Sequence, residues 1–176
     1  MTGATLFDSI DKIEIFVEGI PKTKGSLTPF LLNGVALVNG GVCQKNGKWT
    51  TRIRPNIIMS ESSTPKARRE RKKWRKTLED AIAWEWHDTV GETIPKDVPV
   101  RVELLFLFRR PKSVKASVRP RPTAKLDVDK LSRMILDCMT VAKVYDDDGQ
   151  VCKLVVEKDY AKETSVTGVR IRVSSI

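Results

Sequence analysis

The sequence predicts an α+β fold: a small, mostly antiparallel sheet with two main helices packed on it. Three observations carry that expectation. Apolar and charged residues alternate at 10–18, 98–109, 151–160 and 166–173, the period of a half-buried strand. Two other stretches repeat their apolar residues every three or four positions, the period of an amphipathic helix. The chain is 176 residues long and 40% hydrophobic, enough for one core and one domain spanning 1–176, with 25–60 as a hairpin insertion.

The elements follow in order. Ile10-Asp-Lys-Ile-Glu-Ile-Phe-Val-Glu18 reads as the first strand, and Gly19 to Lys24, with Pro21, breaks it. Between 29 and 59, short apolar runs are separated by Asn33-Gly34, Asn39-Gly40 and Asn46-Gly47. Asn-Gly pairs favour the positive φ angles of tight hairpins, so one or two hairpins belong here. At 63–88 Ser63 or Thr64 can cap, Pro65 suits a first helical turn, and no Gly or Pro intervenes before Gly91. Trp74, Leu78, Ile82 and Trp86 mark the buried face of this long helix, and Trp84 is read as core with Trp74 and Trp86. After the strand at 98–109 comes a basic, proline-broken loop to Lys125. A second helix starts at Asp127 or Asp129, with Leu131, Met134, Ile135, Cys138 and Ala142 on one face and Asp129, Arg133 and Asp137 on the other. A turn at Asp146 to Gly149 leads to two closing strands.

Composition excludes several classes. No apolar run reaches the 18 or so residues of a membrane span, and the N-terminus lacks a signal-peptide layout. The three cysteines, Cys43, Cys138 and Cys152, include no C-x-x-C pair, which argues against a zinc knuckle or disulfide framework and fits a reducing cytoplasm. One histidine, His87, rules out any mechanism that needs two. Thirty-two Lys and Arg against 22 Asp and Glu give a net charge of +10, which suits a polyanionic partner. Two segments concentrate that charge. Lys66 to Lys76 holds eight basic residues in eleven, among them Lys66, Arg68, Arg69, Lys72 and Lys73. The loop after the strand at 98–109 carries Arg109, Arg110, Lys112, Lys115, Arg119, Arg121 and Lys125 with no acid from Leu104 to Leu126. Both are read as DNA-backbone contacts, which give affinity without sequence information.

The acids are pooled instead. Asp127 and Asp129 flank a helix start, where backbone N–H groups and the helix dipole favour anions. Asp146, Asp147 and Asp148 follow about a helix length later. Taken singly, each group is a cap or a solvated turn. Together, a helix, a tight turn and a returning strand can bring them onto one surface as an Mg²⁺ site for phosphodiester hydrolysis. Asp146, Asp148, Gln150 and Glu157 also fall at calcium-loop positions, but Val151 stands where that loop requires glycine.

These residues carry a resemblance. Asp127-Val-Asp-Lys-Leu-Ser-Arg-Met-Ile-Leu-Asp137, followed by Val144-Tyr-Asp-Asp-Asp-Gly-Gln-Val151, resembles the RusA family of Holliday-junction resolvases: D-x-D-N-x-x-K-x-x-x-D, then D-D-x-Q-V. Gly19-Ile-Pro-Lys-Thr-Lys24 is similar to the family's G-x-P-x-x-K start, and the likeness covers roughly 10–24 and 98–160. The resemblance implies a RusA-like, dimeric fold and a bacterial or phage-infected bacterial cytoplasm. It implies a structure-specific endodeoxyribonuclease that resolves four-way junctions by paired phosphodiester hydrolysis, with Mg²⁺ as cofactor (Mn²⁺ as substitute) and no other small-molecule cofactor. Asp127, Asp129 and Asp148 would be the metal-binding catalytic carboxylates and Asp147 a neighbouring ligand. Arg133 stands where the family has a catalytic lysine, and Lys130 where it has asparagine. Arginine keeps the charge but does not release a proton. A non-catalytic DNA-binding protein of the same fold and a flap or general nuclease are the alternatives.

Overall fold

Alternation in the sheet segments and a 3–4-residue apolar repeat in the helices leave one solution: a sheet with one apolar face and helices laid on it. A computed structural model of the chain describes residues 12–23, 27–31, 36–38, 41–43, 49–50, 57–61, 64–123, 126–162 and 166–176. The chain divides into two compact units, Gly25–Pro65 and a larger one made of Met1–Lys24 with Lys66–Ile176.

The larger unit contains four strands, β1 (Ile13–Glu18), β7 (Val100–Phe108), β8 (Val151–Tyr160) and β9 (Gly168–Ser175), with helices α1 (Pro65–Thr89) and α2 (Val128–Val141). The sheet order is β1-β9-β7-β8. β9 is antiparallel to both β1 and β7, while β7 and β8 are parallel. The sheet is therefore mixed, and mostly antiparallel as expected. The parallel pair arises because α2 crosses between its strands, and a tight turn cannot join parallel neighbours.

Ile15 and Val17 of β1, Val102, Leu104 and Phe106 of β7, and Val169, Ile171 and Val173 of β9 are buried on one sheet face. Against them pack Trp74, Leu78, Ile82 and Trp86 of α1 and Leu131, Met134, Ile135, Cys138 and Met139 of α2. Each large apolar side chain so buried contributes about 1.5–3 kcal/mol. The opposite face is polar: Glu14 lies 3.2 Å from Arg170, and Lys12 lies 3.3 Å from Glu103. Trp84 departs from expectation. It is 77% exposed, because two residues from Ile82 and from Trp86 is about 200° around the helix. His87 is exposed, Cys138 is buried and Cys152 is exposed on β8.

Strand register fixes two rims. Glu18 and Leu107 both stand opposite Gly168, and Phe108 opposite Tyr160. At the other rim Val100 stands opposite both Val151 and Ser175. α2 ends at the second rim in a Schellman motif, with Val144 N–H bonded to Met139 O at 3.0 Å and Lys143 N–H to Thr140 O at 3.2 Å. Lys143 takes the left-handed conformation there, φ 60°.

The smaller unit is all strand among its described residues. β2 (Leu27–Leu31) pairs antiparallel with β6 (Ile57–Glu61), and β3 (Ala36–Val38), β4 (Gly41–Cys43) and β5 (Trp49–Thr50) form an antiparallel triplet. The three Asn-Gly turns and the Ser63 cap lie outside the described residues. Among the described residues no helix is long and apolar enough to cross a membrane.

Gly19 closes β1 with φ 150°, and a Cβ there would stand 2.4 Å from Cζ3 of the buried Trp74 ring. Gly19→Ala should cost about 1–3 kcal/mol through strain and overpacking, read as a lower urea midpoint at unchanged slope. An unchanged midpoint would show that Trp74 yields without cost.

Candidate active site and nucleic-acid interface

The first acidic group sits where the basic loop enters α2. Leu126 is held in the left-handed region, φ 71°, a strained setting for a branched side chain. Lys158 of β8 secures it by donating from Nζ to Leu126 O at 3.0 Å. Asp127, the N-cap residue, is extended and makes no capping hydrogen bond with its side chain. Its Oδ2 instead accepts from Lys130 Nζ at 2.7 Å. That bond, with the charges of Lys130 and Lys158, holds the Asp127 carboxyl below its ordinary value, while Lys130 is raised by the same partner. Asp129 is exposed, and its carboxylate has no hydrogen-bond or ion-pair partner among the described residues. Arg133 is exposed too and makes no ion pair there, so the intrahelical bridge to Asp129 or Asp137 that its spacing allows is not formed.

The second group forms a rigid turn. Asp147 caps a 3-10 turn, Asp148–Gln150, and its Oδ1 accepts from Gly149 N–H at 2.8 Å. A Cβ on Gly149 would lie 2.7 Å from that oxygen, so glycine is needed. Gln150 is buried. Its Oε1 accepts from the N–H groups of Asp146 and Asp147 at 3.0 and 3.2 Å, and its Nε2 donates to Pro95 O at 2.8 Å. Sequence reasoning assigned Gln150 no role. Its presence in the D-D-x-Q-V pattern was the available signal, since a buried side chain able to satisfy two N–H groups and one carbonyl locks the backbone carrying Asp148. Tyr145 is fully buried beneath the turn and donates to Leu136 O at 3.2 Å. Burial first, then the charges of Asp148, Asp137 and Asp147, push its hydroxyl upward. Asp146 lies 3.7 Å from Lys143 Nζ. Asp148 is exposed with no partner among the described residues.

The two groups do not meet within one chain. Asp127 stands beside Lys158 near the Phe108 rim, whereas the Asp147–Asp148 turn precedes Val151 at the Val100 rim. Seven residues of strand separate Val151 from Lys158, about 23 Å, and α2 spans about 21 Å. The strand does return to the helix start, but the acids lie before that strand and remain at the far rim. Accordingly, among the described residues no three His, Cys, Asp or Glu side chains are grouped closely enough to hold a metal ion.

The basic segments cluster at the Phe108 rim with Asp127 and Asp129. Ala161 N–H bonds Phe108 O at 2.9 Å, and there Arg109, Arg110, Lys112 and Lys162 line an open cleft of about 740 Å³. Arg110 is largely committed to its own loop. It donates to Arg119 O and Pro120 O at 2.6 and 3.0 Å, and its guanidinium stacks 3.9 Å from the Tyr160 ring centre. Arg121 lies 3.8 Å from Glu157. Arg109, Lys112 and Lys115 are exposed, Arg119 is half-buried, and Lys125 lies outside the described residues. On α1, Lys66, Arg68, Arg69, Lys72 and Lys73 are exposed and make no ion pair among the described residues. The same helix neutralises Arg75 with Glu79 and Lys76 with Asp80.

The model of the family described as endodeoxyribonuclease RusA matches residues 42–174, more than half of the chain. The match takes in both acidic groups and begins after the Gly19–Lys24 segment. No curated protein matches the chain.

Neutralising Arg68, Arg69 and Lys72 together should weaken binding to duplex arms equally across sequences. The slope of log K against log salt should become shallower by about 0.9 for each phosphate that these side chains no longer neutralise. An unchanged slope in a fluorescence-anisotropy titration would make that helix face a solvated surface.

Proposed function

The chain belongs to the RusA endodeoxyribonuclease family and is a nuclease that hydrolyses DNA phosphodiester bonds; from there we propose that it resolves four-way junctions by paired, Mg²⁺-dependent incisions made by a homodimer. The family is one of structure-specific nucleases acting on Holliday junctions, and resolvases of this kind use divalent metal ions. The observation that carries the finer reading is the state of Asp129 and Asp148. Both motif carboxylates are exposed and without a partner among the described residues, and both lie in the span that the family model covers.

The donor set suits a hard divalent cation. Its ligands are carboxylate oxygens, and the Lys130 ammonium already stands as a cation on Asp127. One chain keeps Asp127 and Asp129 apart from Asp148, so it is within the proposed homodimer that these three would hold the ion, with Asp147 alongside. When bound, Mg²⁺ supplies water activation and charge neutralisation at the attacked phosphate; Mn²⁺ should substitute.

The remaining work falls to the chain's own side chains. Arg133, four residues beyond Asp129 on the helix surface, presents its guanidinium fork to the scissile phosphate, stabilising transition-state charge without accepting a proton. The unpaired cations of α1 and the loop at the Phe108 rim hold the sugar–phosphate backbone. Two cuts on opposing strands need two sites in fixed relation, which two-fold symmetry supplies.

On labelled substrates in Mg²⁺, cleavage should favour the four-way junction over a flap and over linear duplex. Asp148→Asn should abolish it while leaving junction binding equal or tighter, because a negative charge near phosphate is removed. Binding lost in parallel with cutting, with circular dichroism unchanged, would overturn the metal-ligand assignment.

Arg133→Ala should lower the single-turnover rate on saturating junction by about 10²-fold with little change in melting temperature. Arg133→Lys should keep substantial activity. Parental rates in the alanine variant would place Arg133 outside the reacting centre.

A further inference from the structure

At the start of α2 one carboxylate is occupied and its neighbour is not. Asp127 is extended and its side chain caps no helical N–H, so its oxygens are not committed to the helix. Oδ2 is held instead by Lys130 Nζ at 2.7 Å, one turn into α2. Asp129 has no such cation among the described residues. The other lysine nearby, Lys158, is engaged elsewhere: its Nζ donates to Leu126 O at 3.0 Å. Among the described residues, Lys130 is thus the ammonium seated on a carboxylate that the proposed function gives to a metal ion.

We propose that Lys130 is a latch on Asp127 that a DNA phosphate opens. In the free protein the ammonium occupies Asp127 and keeps divalent-cation binding weak. On DNA it turns to a phosphodiester oxygen and leaves Asp127 to the metal. The inference rests on the proposed function and says how loading of its metal is tied to the substrate.

The contact has the properties of a latch. Lysine is a compact charge on a flexible four-carbon stem, with three donors, so it can change partner while the helix stays fixed. The Lys130 and Asp127 side chains are 37% and 61% exposed, and an ion pair so open to water is held weakly. The phosphate has a second cation to meet. Arg133 lies three residues on, a neighbour on the helix surface, and is exposed without an ion pair among the described residues. Metal and ammonium also compete: both need the Asp127 oxygens, and they repel each other at close range. A phosphate at this helix start lets the ammonium leave without losing a counter-charge. Asparagine, the family pattern's residue at this position, carries no charge and would do neither. Coupling of this kind is reciprocal, so whatever DNA adds to metal affinity, metal adds to DNA affinity.

The test uses the full-length protein with Lys130→Asn and Lys130→Arg. Mn²⁺ alone is titrated by electron paramagnetic resonance without DNA. Junction affinity is then read by fluorescence anisotropy in EDTA and in saturating Ca²⁺, with a gel confirming uncut junction. The ratio of those two affinities measures the coupling. Lys130→Asn should bind Mn²⁺ about three- to tenfold tighter than the parental protein, and its coupling ratio should fall by a similar factor. Lys130→Arg, which keeps the cation, should stay close to parental in both. Equal Mn²⁺ affinity in Lys130→Asn and the parental protein would overturn the latch while leaving the metal reading intact. Tighter Mn²⁺ binding with an unchanged coupling ratio would overturn it as well, making Lys130 a fixed charge. A parental protein that binds no Mn²⁺ and whose junction affinity ignores Ca²⁺ would overturn the metal reading itself, and the latch with it.

Discussion

Because β7 and β8 run parallel, the chain must travel from the Phe108 rim back to the Val100 rim between them, and α2 makes that journey. Everything that defines the candidate site follows from this crossing. It places the helix start, with its free N–H groups and Asp127 and Asp129, beside the basic loop that leaves β7. It places the tight turn before β8, with Asp147 and Asp148, about a helix length away. It also places α2 at the edge of the sheet, because β8 is the last strand in the order.

Each end is then fixed by different physics. The turn before β8 is held by buried, satisfied polar groups: Gln150 answers two backbone N–H groups and a carbonyl, and Tyr145 anchors the turn to α2. In a low-dielectric interior, losing any of these would leave a costly unpaired group. The helix start is held from outside, by the Lys158 clasp on Leu126 and the Lys130 ammonium on Asp127. Lys130 stands where the family pattern has asparagine, so at this end the chain supplies a positive charge of its own where a neutral amide would leave the carboxylates facing solvent.

The charge distribution shows the same division. Some acids elsewhere are held in pairs, such as Glu79 with Arg75 or Glu14 with Arg170 and Arg172, which contribute little at a surface but quench local field. Lys66, Arg68, Arg69, Lys72 and Lys73 have no such partners among the described residues. A chain of net charge +10 therefore presents unbalanced positive surface along α1 and the loop at the Phe108 rim, beside the acids at the start of α2.

The sequence by itself determined the elements. The periodicity of Trp74, Leu78, Ile82 and Trp86 marked the buried stripe of α1, and the alternation of 151–160 marked β8, because a single face of one element is a local property. The same local reasoning failed at Trp84, where proximity to core residues in the chain is not proximity around a helix. Asp127, Asp129 and Asp148 were legible as a pattern, and the family match covers them. Their separation was not. Whether two strands run parallel depends on which edges pair after the whole chain has collapsed, and no window of residues contains that choice. The tertiary structure decided it by inserting β9 between β1 and β7, leaving β8 to pair with β7 at the edge. Strand order thus set the distance between the carboxylates, which residue spacing along the chain could not.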